Sequence, residues 1–289
     1  MGKLLVAAIV ASFSMALGAA GETVSIRFAA QVNGKDFHCG DSFEGIGQTR
    51  STITPRDFRF YVHNVRLIDD QGREAAVTLR DDGKWQGAET ALLDFEDAHG
   101  PCMNGTPETN DSVVGEVEGG HRWTGVRFVL GVPFAVNHQD LTSLPSPLNL
   151  TAMSWVWNVG HKFLRIDFAS TGQPRGFFIH LGSTTCTPNK TKTTVPTSCA
   201  QPNRVEVNLT PFDPAHDVVI ADLGRLLADT NVDVNAPKTP GGCMSFPGDE
   251  DCIGIFQHFG LAYGNHPPGT QDFFAAGQGT VSSAKASPK

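Results

Sequence analysis

Apolar and polar residues alternate in short runs along most of this chain. The clearest runs are "TVSIRFAAQV" (Thr23–Val32), "DFRFYVHNVRLI" (Asp57–Ile68), "EAAVTLRDD" (Glu74–Asp82) and "WTGVRFVLGV" (Trp123–Val132). "KFLRIDFAS" (Lys162–Ser170), "RGFFIHLGS" (Arg175–Ser183) and "NRVEVNLTPF" (Asn203–Phe212) follow the same pattern. A period of two with aromatic and β-branched residues predicts strands. In the second run Phe58, Phe60 and Val62 share one face, and Arg59, Tyr61 and His63 share the other. Most of the 31 glycines and 18 prolines fall between the runs, as turn chemistry. Helical spacing is scarce. It predicts one short helix over Val218–Leu227, "VVIADLGRLL", and a weaker one near Cys252–Phe259. The expected fold is all-β: an antiparallel β-sandwich with long disulfide-tied loops and one or two short helices.

The ends read differently from the middle. A basic start (Lys3), an apolar run from Leu4 to Leu17 and small residues at Gly18–Ala20 have the order of a secretory signal peptide, expected over residues 1–20. The run is shorter than the ~20 residues that span a bilayer. A mature protein that is periplasmic or secreted follows from this. Residues 21–276 are expected to form a single β domain, and residues 277–289, which lack any apolar pattern, a disordered tail. The net charge is −8 with no basic cluster, which argues against nucleic acid and anionic membranes as partners.

An exported chain with six cysteines reads as disulfide-bonded. The cysteines Cys39, Cys102, Cys186, Cys199, Cys243 and Cys252 allow 15 pairings. Two local pairs, Cys186–Cys199 and Cys243–Cys252, would close short polar loops and leave Cys39–Cys102 as a long-range tie. No CxxC occurs, so a zinc knuckle and haem attachment are disfavoured.

Hydrolase, nucleotide-binding and zinc-protease motifs are missing. "DTNVDVN" (Asp229–Asn235) has the alternate oxygens of a calcium loop. However, Val234 holds the glycine position and Pro240 the position of the bidentate glutamate, so an Asx-rich turn is the better reading. Histidine is more informative, with ten residues against two tyrosines. His63 and His180 sit within strand patterns, His138 and His161 beside aromatic segments, and His38 beside Cys39. Each alone is more often structural than a ligand. Together they point to a transition-metal site, since imidazole suits copper and zinc, and Met153 or Met244 would bias it toward Cu(I). "MSWVWNVGHKF" (Met153–Phe163) places Met153, Trp155 and Trp157 on one side of an extended backbone and leads into Asn158 and His161.

Five segments in order resemble the MbnP-like copper-binding proteins, also called the metallo-mystery-pair four-Cys-motif family. They are "ALLDFEDAHGPC" (Ala91–Cys102), "LGVPFAVNH" (Leu130–His138), "MSWVWNVGHKFLRIDF" (Met153–Phe168), "FFIHLGSTTC" (Phe177–Cys186) and "GGCMS" (Gly241–Ser245). The resemblance runs from about Asp57 to Phe274. It implies an exported bacterial protein partnered with a MauG-like dihaem enzyme of the cytochrome c peroxidase family. In characterised relatives that partner oxidises a tryptophan to kynurenine, and the product binds copper. An intact indole offers only an N–H donor, whereas the opened ring exposes an aryl amine and a ketone. Carried over by motif, Trp157 is the first candidate and Trp155 the second, with Trp85 and Trp123 outside them. His63 and His180 are the first metal-ligand candidates, then His138 and His161, then His38; His99 and His121 lie outside the matched segments. The expected role is copper capture or delivery, as the substrate of the haem enzyme and not as an enzyme itself. The rivals are a metal-dependent redox enzyme on a β-sandwich and an exported ligand-binding module without metal.

Overall fold

The structure, a computed structural model, describes residues 21–155, 160–187 and 195–278. The leader expected over residues 1–20, the candidate Trp157, and the expected tail apart from Gly277 and Gln278 lie outside them. Ten main strands form the sandwich: β1 (Gly21–Val32), β2 (Ser51–Asp69), β3 (Thr90–Asp94), β4 (Ser112–Glu118) and β5 (Trp123–Leu130). They continue as β6 (Leu164–Ser170), β7 (Phe177–Leu181), β8 (Val205–Leu209), β9 (Asp217–Asp222) and β10 (Phe274–Gln278). One sheet runs β10-β9-β1-β4; the other is built around β2, with β5 and β8, β6 and β7, and β3 all tied to it.

The two sheets face each other through apolar side chains, three of the four below taken from the alternating runs and Phe274 from outside them. Phe28 of β1 and Phe274 of β10 meet Phe60 of β2 and Phe128 of β5 edge to face, with ring centroids 5.2 to 6.0 Å apart. All four are buried. Each such side chain contributes about 1.5–3 kcal/mol, an upper figure because the unfolded chain already hides some surface. Three further ties hold the loops: Cys39–Cys102, Cys186–Cys199 and Cys243–Cys252 are bridged.

Three local expectations differ from the structure. The helix predicted over Val218–Leu227 is strand β9 followed by a single turn, α2 (Leu223–Leu226). The β-branched run there is taken up by pairing with β1 and β10, and Asp222 caps the turn by accepting from the Gly224 N–H at 2.8 Å. The strand predicted over Glu74–Asp82 breaks at Val77, so that Glu74–Ala76 pairs with β2 and Thr78–Leu79 pairs with β4 of the other sheet. The sheets are not purely antiparallel, because β1–β9 and β7 with Gly242–Cys243 run parallel. The weaker helix is present as α3 (Cys252–His258). Strand β10 runs through Gln278, two residues past the expected domain end.

One topological feature positions the candidate site. Strands β5 and β6 lie end to end along the same edge of β2, with β5 opposite residues 62–69 and β6 opposite residues 53–60. Between them the chain leaves the sheet as residues 131–163. Tyr61 clasps both ends of this excursion: its carbonyl accepts from the Gly131 N–H and its N–H donates to the Phe163 carbonyl, each at 2.8 Å. The next layer breaks at the same place. Strand β7 ends at Leu181 opposite Leu164, and β8 begins at Val205 opposite Leu130. Residues 182–204 therefore leave beside residues 131–163.

Candidate metal centre

The outward face of β2 carries Asp57, Arg59, Tyr61 and His63 in sequence. The first three are buried because segments outside the sheet cover them. Asp57 and Arg59 pair through both nitrogens of one guanidinium edge; Arg165 reaches Asp57 at 3.1 Å and Asp167 at 2.6 Å. His180 Nε2 meets Asp167 at 2.8 Å. The carbonyl of Ala152 accepts from Lys162 at 2.9 Å and from Arg165 at 3.1 Å, so the first excursion is pinned onto this charged row. Burial pushes Lys162 down to about 8, with the Arg165 charge adding to the effect. Burial also raises Asp94, across from Arg59, to about 7.

Within the first excursion, α1 (Phe134–Asn137) starts after Pro133, which cannot donate from its nitrogen and suits a helix start. The turn delivers Asn137 and His138, both buried. Asn137 organises the site with three bonds. Its Oδ1 accepts from the His161 N–H at 2.9 Å, its carbonyl faces His161 Nδ1 at 3.0 Å, and its Nδ2 lies 3.1 Å from His138 Nε2. Since Oδ1 is committed to a backbone N–H, Nδ2 is the donor to His138, and Nε2 of His138 keeps its lone pair. That nitrogen lies 3.4 Å from Cys199 Sγ and 3.9 Å from Cys186 Sγ. The two sulfurs form the bridge across the hairpin of Thr184–Thr187 and Ser198–Gln201 in the second excursion. Among the described residues, His138, Cys186 and Cys199 are the one group of three metal-ligating side chains whose ligand atoms lie within 4.8 Å of one another.

The tryptophan segment closes over the same histidine. Ser154–Trp155 pairs with Gly160–His161, and a Cβ on Gly160 would lie 3.2 Å from His138 Nδ1. Trp155 is 4% exposed, its ring laid against Gly182 so closely that a Cβ there would fall 2.8 Å from Cη2. His161 is a tether: besides Asn137, its Nε2 lies 2.8 Å from the Leu148 carbonyl. Both of its ring nitrogens face backbone carbonyls, and burial lowers its pKa, so the neutral ring donates to one of them and is held in place by the loop.

His63 stands on β2 opposite Val129, beside the break in the sheet where the excursions depart. Its Nε2 is buried and has no hydrogen-bond partner among the described residues. Desolvation, with the nearby Arg204 charge, pushes the imidazole down to about 4, so it is neutral at physiological pH. Arg204 belongs to the second excursion, donates to the Val132 carbonyl at 2.8 Å, and lies over the rings of Phe163 and Phe134. Phe134 in turn meets the His138 ring edge to face at 5.4 Å. His63 and His138 are thus joined through Arg204 and Phe134.

The sequence candidates therefore separate by what their nitrogens do. His63 holds a neutral ring and His138 an Nε2 that accepts from Asn137, both at the break in the sheet. His161 holds its own loop, and His180 is committed to Asp167 in the charged row. His38 is exposed beside the Cys39–Cys102 bridge, away from the excursions. Trp123 donates to Glu22 at 2.6 Å and Trp85 lies under Lys84 at 4.7 Å, both elsewhere on the sandwich. Asn137 and Arg204, which orient and charge the site, carry no sequence signal, because their role depends on two segments meeting. In the calcium-like loop, Asp233 accepts from Thr49, Ser51 and the Gly172 N–H, and Asn231 accepts from the Asp233 and Val234 N–H groups. These oxygens clamp the turn to β2.

The fold has a counterpart among solved structures. MbnP from Methylosinus trichosporium is 30% identical with a TM-score of 0.81, and the similarity covers 90% of this chain and 100% of that one. No curated protein matches the chain. The family model for MbnP matches residues 21–245, beginning earlier and ending sooner than the extent of about Asp57 to Phe274 expected from the resemblance. The chain belongs to the MbnP family.

Proposed function

We propose that this is an exported copper-binding protein whose site is completed by oxidising a tryptophan. His138 and His63 would supply imidazole nitrogens, and Trp157, converted to kynurenine by a MauG-like dihaem enzyme, the remaining donor. The reading rests on one observation: a buried histidine keeps its Nε2 lone pair through a bond from Asn137, directly beside the paired strands that lead into and out of residues 156–159. The orphaned His63 Nε2 fits as well, since a buried acceptor without a partner costs about 1–3 kcal/mol and a metal ion would relieve it. Imidazoles favour copper over hard cations.

Between the two tryptophans, Trp155 is walled in by Gly182 and the His161 carbonyl, which leaves little room for a ring-opened side chain. Trp157, two residues further along, is the one we assign to modification. The protein then acts as carrier and as substrate of the haem enzyme. Exchange of His138 for glutamine should lower Cu(I) affinity of the matured protein by more than the roughly 10–100-fold typical of removing a supporting group. Unchanged affinity in that variant would exclude His138 as a ligand.

A further inference from the structure

The Cys186–Cys199 bridge ties a two-stranded hairpin and lies against His138, whose Nε2 is 3.4 Å from Cys199 Sγ. Its two partners in the chain, Cys39–Cys102 and Cys243–Cys252, are buried within the core. Cys186 and Cys199 are only half-buried, flanked by exposed Thr185, Thr187, Val195, Thr197 and Ser198. Access governs thiol–disulfide exchange, so this bridge is the one open to attack.

We infer that the bridge is a redox gate: on reduction, Cys186 and Cys199 with His138 form a two-sulfur, one-nitrogen site for Cu(I). The distances fit this assignment. A tetrahedral ion with sulfur at ~2.3 Å and nitrogen at ~2.0–2.1 Å places its nitrogen and sulfur ligands about 3.5 Å apart. His138 Nε2 already lies 3.4 and 3.9 Å from the two sulfurs. Only the sulfur pair has to separate, to about 3.7 Å at the same bond lengths. Thiolate is the soft ligand that selects Cu(I), and the imidazole supplies the third donor, with the fourth tetrahedral position left open.

The reductant is a dithiol of the thiol-oxidoreductase class. Its thiolate attacks one sulfur, the Cys186–Cys199 bond breaks through a mixed disulfide, and the reductant leaves oxidised as its own disulfide. Two electrons and two protons pass to Cys186 and Cys199, and Cu(I) binding then expels the thiol protons. The Asn137 Nδ2 bond to His138 Nε2 gives way to the metal. This site shares His138 with the proposed copper reading and needs no tryptophan oxidation.

The test uses the mature protein made without a haem partner, so that its tryptophans stay intact. The protein is treated with a dithiol, desalted without oxygen, mapped by alkylation and mass spectrometry, and titrated with Cu(I) against a chromophoric Cu(I) chelator. The expected result is selective alkylation of Cys186 and Cys199, one tightly held Cu(I), and a thiolate-to-copper absorption band. The oxidised protein should lack the band and bind roughly 100-fold more weakly, and His138→Gln should weaken the reduced site by at least about tenfold. Reduction only on global unfolding, or equal affinity in the two redox states of the unaltered chain, overturns the proposal. Full affinity in reduced His138→Gln does so as well. Because the tryptophans are unmodified throughout, none of these results bears on the kynurenine reading.

Discussion

Gly182 is the point where the tryptophan segment is held against the second excursion, and adding one methyl group there tests that packing. A Cβ on Gly182 would come within 2.8 Å of the His161 carbonyl and of Trp155 Cη2, and closer still to Cζ3. Neither neighbour is the free end of a flexible chain: the indole is 4% exposed, and His161 is bonded to Asn137 and Leu148. The glycine cannot retreat, because its N–H donates to Ser245 Oγ and its carbonyl accepts from Asn203 Nδ2 at 2.8 Å. Overpacking of this kind costs about 1–3 kcal/mol. Glycine-to-alanine exchange returns about 0.4–1 kcal/mol by restricting the unfolded chain. Gly182→Ala should therefore be destabilised by about 1–2 kcal/mol, or about 2–8 °C in Tm for a chain of this size. The assay is thermal unfolding of metal-free protein, with near-ultraviolet circular dichroism reporting the tryptophan environment. A Tm at or above the parent's, with an unchanged aromatic spectrum, would refute the packing.

Asp94→Asn should raise stability more at pH 8 than at pH 5. Burial lifts the folded carboxyl to about 7, so the stability it contributes is present below its unfolded value and lost as pH rises through 7; a pH-independent difference in unfolding free energy counts against this. The His63 imidazole should titrate near pH 4 in the NMR spectrum of metal-free protein. Its contribution to stability is full above the unfolded value of ~6.5 and falls away as pH drops toward 4; a titration near 6.5 would mean the ring is not desolvated. Asp167→Ala leaves Arg165 and His180 without their shared carboxylate and should cost about 3–5 kcal/mol in denaturant unfolding. Joint removal of Cys39 and Cys102, which are 63 residues apart, should cost about 4 kcal/mol by loop entropy; a loss under about 1 kcal/mol would show that the unfolded chain is already constrained there.

Strand content and facing were legible in the sequence because alternation is a local property. Phe58 and Phe60 go inward and Arg59 outward, as their period demands. The helix expected over Val218–Leu227 misled because the same apolar residues serve either period, and only pairing with β1 and β10 decides between them. The site was legible as a set of residue types and not as a constellation. His138 and the Cys186–Cys199 bridge are brought together by two excursions leaving one break in a sheet, which no local pattern encodes. His161 and His180 resemble ligands in the sequence, and only their partners, two backbone carbonyls and Asp167, separate them from His138 and His63.

The central claim is that Trp157 becomes a copper ligand by oxidation. It is tested most directly by isolating the protein together with an active dihaem partner, sequencing the peptide that carries Trp155 and Trp157 by mass spectrometry, and titrating the same sample with Cu(I). The account predicts kynurenine at Trp157, intact tryptophan at Trp155, and copper binding that rises in proportion to the modified fraction. Two unmodified tryptophans after turnover by an active partner, or copper affinity indifferent to the modification, would contradict it.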